Sequence, residues 1–178
     1  MKNNTLQLYG LNAGTVIFSL NEIEDAERFE KVRMSDFYSI LLILEGAGII
    51  KTNAAEYAFK RHSLITLAPF QSCKIIYSDV VYAVMLSFHQ EFLRLYDFQD
   101  GITAGNVLFN NTRGGLKIDL SYQEASHLYS AIYGIKIEMQ FGDIIDPLTV
   151  FNYLKIILSD TEMIWCIKSK AEGMIDKS

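Results

Sequence analysis

FYSILLILEGAGIIK, residues Phe37–Lys51, decides how the rest of the chain is read. Between Tyr38 and Leu44 only Ser39 interrupts a run of leucine, isoleucine and aromatic side chains. A membrane-spanning helix needs about 18 or more apolar residues, so this run is too short to cross a bilayer. Its length and β-branched content predict a central strand buried on both faces. The break at Glu45-Gly46-Ala47-Gly48, followed by Ile49-Ile50-Lys51, predicts a glycine turn into a second, returning strand.

Working outward, other short strands come into view. Leu6–Tyr9 alternates, and Thr15–Leu20 follows Gly14. Asn21 to Arg28 carries Glu22, Glu24, Asp25 and Glu27 and reads as a solvated loop or helical turn. No apolar pocket adjoins these carboxylates to raise a pKa for acid/base work. Phe29–Met34 alternates roughly and is expected to lead into the central run as a strand. Glu56–Lys60 alternates cleanly, with Tyr57 and Phe59 on one side of the pleat. Ser63–Leu67 stops at Ala68-Pro69, and Ser72–Tyr77 and Val80–Phe88 read as two strands divided by Ser78-Asp79. Strands at this spacing predict an antiparallel barrel or sandwich.

After Phe88 the period changes. His89–Tyr96 fits one or two helical turns, and Asp97–Gly115 is irregular, anchored by Leu108-Phe109. Ser121 with Glu124 forms a capping-box pattern, and Ala125, Leu128, Ile132, Ile135 and Met139 then fall at helical spacing, ending near Gly142-Asp143. Pro147 suits the first turn of a second helix, where its missing N–H costs nothing. That helix runs through Leu148 to about Lys168 and is apolar over much of its circumference, so more than one side must be covered. Phe151, Leu154, Ile157 and Leu158 are therefore the expected dimer interface.

Composition narrows the function. Of 178 residues half are hydrophobic and 21% charged, with a formal net charge of -5. Nucleic-acid binding needs clustered lysine and arginine, and none occurs here. The two cysteines, Cys73 and Cys166, lie far apart in apolar surroundings and read as free thiols. The N-terminus lacks the apolar core of a signal peptide, so a cytoplasmic location is expected.

The strand pair with its Glu45–Gly48 glycine motif, Ser63-Leu64-Ile65 leading to Pro69, Ser87–Phe92 and the two closing helices together resemble the N-terminal cupin domain of AraC-type transcription regulators. The likeness spans Val16 to Trp165. It implies a mainly β fold, a cupin jelly-roll barrel followed by an α-helical hairpin. It also implies a layout of 1–115 as sensor barrel, 116–168 as the dimerising hairpin and 169–178 as the start of a linker to a DNA-binding half. DNA would be contacted only through that half.

Metal-binding cupins place two histidines and a glutamate before the first glycine motif and a third histidine after the proline. Counting from Gly46 puts the glutamate position on Ser39 and the histidines on Val32 and Met34, or Arg33 and Ser35. Counting from Pro69 puts the third on Cys73 or Lys74. None is a conventional ligand set, so no metal, cofactor or catalytic residue is expected. His62 falls at a turn, His127 on a helix surface, and His89 at a corner it would fix by a local hydrogen bond. No nucleophile elbow, P-loop or paired-cysteine motif occurs.

A sensor of this kind would bind inside its barrel, where alternate strand residues face inward. The interior set is Ser39, Leu41, Ile43, Cys73, Ile75 and Tyr77, with Val84, Leu86 and Phe88, or else Ala83, Met85 and Ser87, completing the wall. Thr66 and Tyr57 are further polar candidates. So apolar a lining predicts that a buried effector, if there is one, is small and largely apolar rather than a sugar; the alternative is a barrel filled by its own side chains that binds nothing. Two other readings stay open: a metal-free cupin enzyme of the isomerase or dioxygenase type, and a purely structural dimerisation module.

Overall fold

The computed structural model describes residues 5–10, 14–53, 55–95, 107–109, 116–141 and 145–171. In chain order the strands and helices are β1 (Thr5–Tyr9), β2 (Val16–Ile23), α1 (Ala26–Val32), β3 (Tyr38–Thr52), β4 (Glu56–Phe59), β5 (Ser63–Leu67), β6 (Cys73–Phe88), α2 (Gln90–Arg94), β7 (Leu116–Asp119), α3 (Tyr122–Phe141) and α4 (Pro147–Ala171). They fall into two compact units, Met1–Leu120 and Ser121–Ser178. The first holds a seven-stranded antiparallel sheet in the order β1-β2-β6-β3-β5-β7, with β4 paired to β3.

The run that opened the sequence reading does not turn back. β3 is one 15-residue strand, antiparallel to the 16-residue β6 along its whole length. The register slips between Ile43 and Glu45 and again between Gly46 and Gly48. The glycines therefore mark bulges that bend a continuous strand, and the expected hairpin is absent. Ser78-Asp79 likewise lies within β6 and does not divide two strands.

The physical reason is close backbone approach. A Cβ on Gly46, whose φ is +97°, would stand 1.5 Å from the carbonyl oxygen of Val80. One on Gly48 would stand 2.3 Å from that of Tyr77 and 2.6 Å from the Phe59 ring. The first half of β3 pairs with β5 as well as β6, the second half with β4 as well as β6. The bend thus lets one strand serve two sets of partners.

Three further expectations change. Phe29–Met34 is not a strand: residues 26–32 form helix α1, capped by Asp25, whose carboxylate accepts the Arg28 N–H at 2.6 Å. Asn21, read as the start of a loop, is the antepenultimate residue of β2 and is buried. Residues 116–119, assigned to the helical part, form strand β7 on the edge of the sheet beside β5. Ser63 Oγ donates to Asp119 Oδ1 at 2.8 Å across that pair.

In the second unit α3 packs against α4. The Ser121 Oγ accepts the Glu124 N–H at 3.2 Å while Glu124 Oε2 accepts the Ser121 N–H at 2.6 Å, a reciprocal capping box. Ala125, Leu128, Ile132, Ile135 and Met139 form the buried stripe of α3. Lys168–Glu124 and His127–Asp160 pairs, at 3.1 and 2.9 Å, tie the helices at the surface, where such pairs contribute about 0–1 kcal/mol each. The Gly142-Asp143 stop and most of the irregular 97–115 stretch lie outside the described residues.

Candidate functional site

One face of the bent sheet carries an apolar cluster. Strand alternation puts Ile23 of β2, Leu41, Ile43 and Ile50 of β3, Phe59 of β4, and Ile65 and Leu67 of β5 on it. Cys73, Ile75, Val81, Ala83 and Met85 of β6 complete the strand contribution, and Phe29 enters from α1. Ala26, Val32 and Tyr57 pack against its margin.

Four of the six expected interior residues, Leu41, Ile43, Cys73 and Ile75, lie together in this cluster. Ser39 shares their face of β3 and is 1% exposed. Tyr77 does not join them. Ile49 pairs with Tyr77 but Ile50 pairs with Ile75, so Ile76 is an extra residue and the alternation inverts across it. Tyr77 is thereby turned outward, 58% exposed, with its hydroxyl donating to Asp79 Oδ1 at 2.7 Å. Of the two alternatives for β6, the wall on this side is Ala83, Met85 and Ser87. Val84, Leu86 and Phe88 are buried on the opposite face, as is Thr66, whose hydroxyl donates to the Leu108 carbonyl.

The strand reading missed a row of polar side chains beside the cluster. Ser87 stands directly opposite Ser19 on one side and Ser39 on the other, so three serines align across β2, β6 and β3. Asn21 sits two residues along β2 on the same face. All four are 0–1% exposed. Ser39 and Ser87 share a hydroxyl–hydroxyl bond of 3.0 Å, and Asn21 Nδ2 donates to Ser19 Oγ at 3.2 Å. The signal was present: Ser19 and Asn21 have the same parity as Ile17 and Ile23. Treating Asn21 as a loop residue concealed it.

Burial pushes the Cys73 thiol up to about 12, with Arg33 pulling it down and Glu30 reinforcing the rise. It is therefore an uncharged, poorly nucleophilic group at neutral pH. The residues that stand where metal-binding cupins carry ligands come from different elements: Val32 is on α1, Met34 follows it, and Ser39 and Cys73 are on β3 and β6. Among the described residues no three histidine, cysteine, aspartate or glutamate side chains gather to hold an ion. His89 caps α2, its Nδ1 accepting the Glu91 N–H at 3.2 Å.

Phe151, Leu154, Ile157 and Leu158, expected at a dimer interface, are 0–5% exposed within a single chain. Within the single chain they are part of the core. The apolar side chains that α4 leaves exposed are Leu148, Ile156, Met163 and Ile167. No helix among the described residues is long and apolar enough to cross a membrane.

A bent antiparallel sheet carrying an apolar cluster on one face is followed in the chain by a pair of packed helices. The chain belongs to the AraC-like ligand-binding domain family, whose model matches residues 16–145. Among solved structures it is similar to an apo variant of ToxT from Vibrio cholerae, at 14% identity and a TM-score of 0.50, covering 86% of this chain and 56% of that one. It is also similar to the AraC-like transcriptional activator CuxR, at 14% identity and a TM-score of 0.45, covering 84% and 48%. ToxT with a bound unsaturated fatty acid matches at 14% identity and a TM-score of 0.47, covering 89% and 57%. The chain thus spans about half the length of these proteins. No curated relative matches it.

Proposed function

We propose that this chain is the effector-sensing and dimerising part of an AraC-type transcription regulator. Its sheet acts as a cupin jelly-roll barrel that takes a small, largely apolar effector, and it performs no catalysis. DNA is contacted by a helix-turn-helix half of the kind AraC-type regulators carry, and the protein works in the cytoplasm. The observation that supports this reading is the composition of the sheet's inner face, where Leu41, Ile43, Ile65, Cys73, Ile75 and Met85 form an apolar cluster. A sugar site would need several convergent polar groups and an aromatic platform. ToxT has been solved with an unsaturated fatty acid bound, but the reading stands on this chain's own interior.

The reading is tested by thermal melts against a panel of apolar compounds and sugars. A ligand present at 100 times its Kd contributes about 2.7 kcal/mol, which raises Tm by several degrees in a chain of this size. An apolar compound is expected to do this. Stabilisation by a sugar alone would overturn the reading, and stoichiometric iron, manganese or zinc in the purified protein would favour a cupin enzyme instead.

A further inference from the structure

Beyond the bend in β3, the face of the sheet opposite the cluster is open to solvent. There β4, β3 and β6 lie side by side, and Ile49 stands directly across from Ala58 on one side and Tyr77 on the other. Ala58 is exposed, Ile49 is partly buried and Tyr77 is 58% exposed. Ile76 and Val80 extend this apolar row along β6, at 45% and 68%. The other large apolar side chains left exposed among the described residues up to Leu120 are Tyr9, Phe70 and Leu95, so half of the set gathers on one short stretch of one strand. Single exposed apolar residues need no explanation, but a contiguous apolar patch with a polar rim marks a contact surface.

The rim is charged, and its pattern complements itself. On one side of the Ala58–Ile49–Tyr77 row lie Glu56, Lys51 and Lys74, again directly across from one another. On the other side Tyr77 is followed by Asp79, and Ile49 is preceded by Ala47. Lys51 is paired with Glu56 at 2.9 Å, whereas Lys74 has no ion-pair partner among the described residues. Asp79 accepts the Tyr77 hydroxyl on Oδ1, which leaves Oδ2 open to a cation.

We propose that this patch is a contact surface for a second copy of the chain, related by a twofold axis along the Ala58–Ile49–Tyr77 row. A twofold contact brings the same patch of both copies together. This axis sets Tyr77 against Tyr77 of the other copy and exchanges the two sides of the row. Lys74 of each copy then faces Asp79 of the other, twice over, and Lys51 faces Ala47. An axis along the strands would instead set Lys51 against Lys51, and like charges brought together oppose association. The charge pattern thus fixes both the occupant and its orientation. The row and its rim supply roughly half or fewer of the 20–30 residues a side that a stable complex uses, so the contact is weak, with a Kd on the order of 100 µM. Such a contact acts where chains are already held close, because linked modules meet at effective concentrations in the millimolar range. It lies wholly on the sheet and does not rest on association through the exposed side chains of α4.

The test is sedimentation of the whole 178-residue chain carrying Ile156→Lys, which removes an exposed apolar side chain of α4. From about 10 µM to about 1 mM this parent is expected to pass from monomer to dimer. Lys74→Glu alone, and Asp79→Lys alone, set like charges against each other and weaken that association at least about tenfold. Mixed in equal amounts, the two variants form both pairs again, and association returns to within about threefold of the parent. Both positions are exposed, and thermal melts matching the parent verify that the variants keep the fold. Undiminished association of either variant alone, or a mixture no better than its components, overturns the contact. A parent that stays monomeric over the whole range also overturns it and leaves dimerisation through α4 standing, because that is read in the chain without Ile156→Lys.

Discussion

Cys73 shows how burial alone sets the chemistry of a side chain. The thiol sits among Ile50, Ile75 and the β3 partner Thr52, and loss of water moves its ionisation from 9.0 to about 12. In the unfolded chain the same group ionises near 9. Between pH 9 and pH 12 the unfolded state therefore binds fewer protons than the folded one, and stability falls as pH rises. The slope is about 1.4 kcal/mol per pH unit from this group, and the contribution is fully present below pH 9. At pH 8 iodoacetamide is expected to modify the partly exposed Cys166 first, and Cys73 only when the chain unfolds. Equal labelling rates for the two thiols, followed by mass spectrometry under native conditions, would show that the interior is open to solvent.

At the scale of elements, the pairing of β3 with β6 organises the sheet, and Gly46 allows the two strands to meet. A methyl group there would collide with the Val80 carbonyl and force a left-handed backbone on an L-residue. Gly46→Ala is expected to cost at least ~2 kcal/mol, from the φ strain of about 1–3 kcal/mol and the added clash. Denaturant melts measure this directly. A change below about 0.5 kcal/mol would mean that the bulge relaxes freely and does not set the bend. By contrast, α1 and the start of α3 are local structures. Asp25 caps the one and Ser121 with Glu124 the other, each through partners only three residues away.

At the scale of the molecule, the self-association proposed for this domain needs a surface, and the residues first assigned to it are inside. Ile156, Met163 and Ile167, spaced by seven and four along α4, lie on one helical face and are 47%, 55% and 62% exposed. A second copy of the chain is the expected occupant of this stripe. Ile156→Lys should give a monomer by sedimentation with a stability change within about 0.5 kcal/mol, as for an ordinary surface site. Leu154→Lys, 0% exposed, should instead destabilise the fold by burying an unpaired charge. A wild-type monomer at micromolar concentration would remove the dimer from the proposal.

By itself the sequence determined what depends on near neighbours. Strand-rich content up to Phe88, the capping box at Ser121, the α3 stripe and the inward parity of Leu41, Ile43, Cys73 and Ile75 were legible because period and capping act over a few residues. Only the tertiary structure decided the rest. Glu45–Gly48 has the composition of a turn. It became a bend because β6 lies within backbone contact of it, and such contact is not encoded in local propensity. Tyr77 left the interior through one extra residue at Ile76, which a strict alternation cannot register. The serine row came together only when β2, β6 and β3 were laid side by side, joining Ser19, Ser87 and Ser39 from distant parts of the chain.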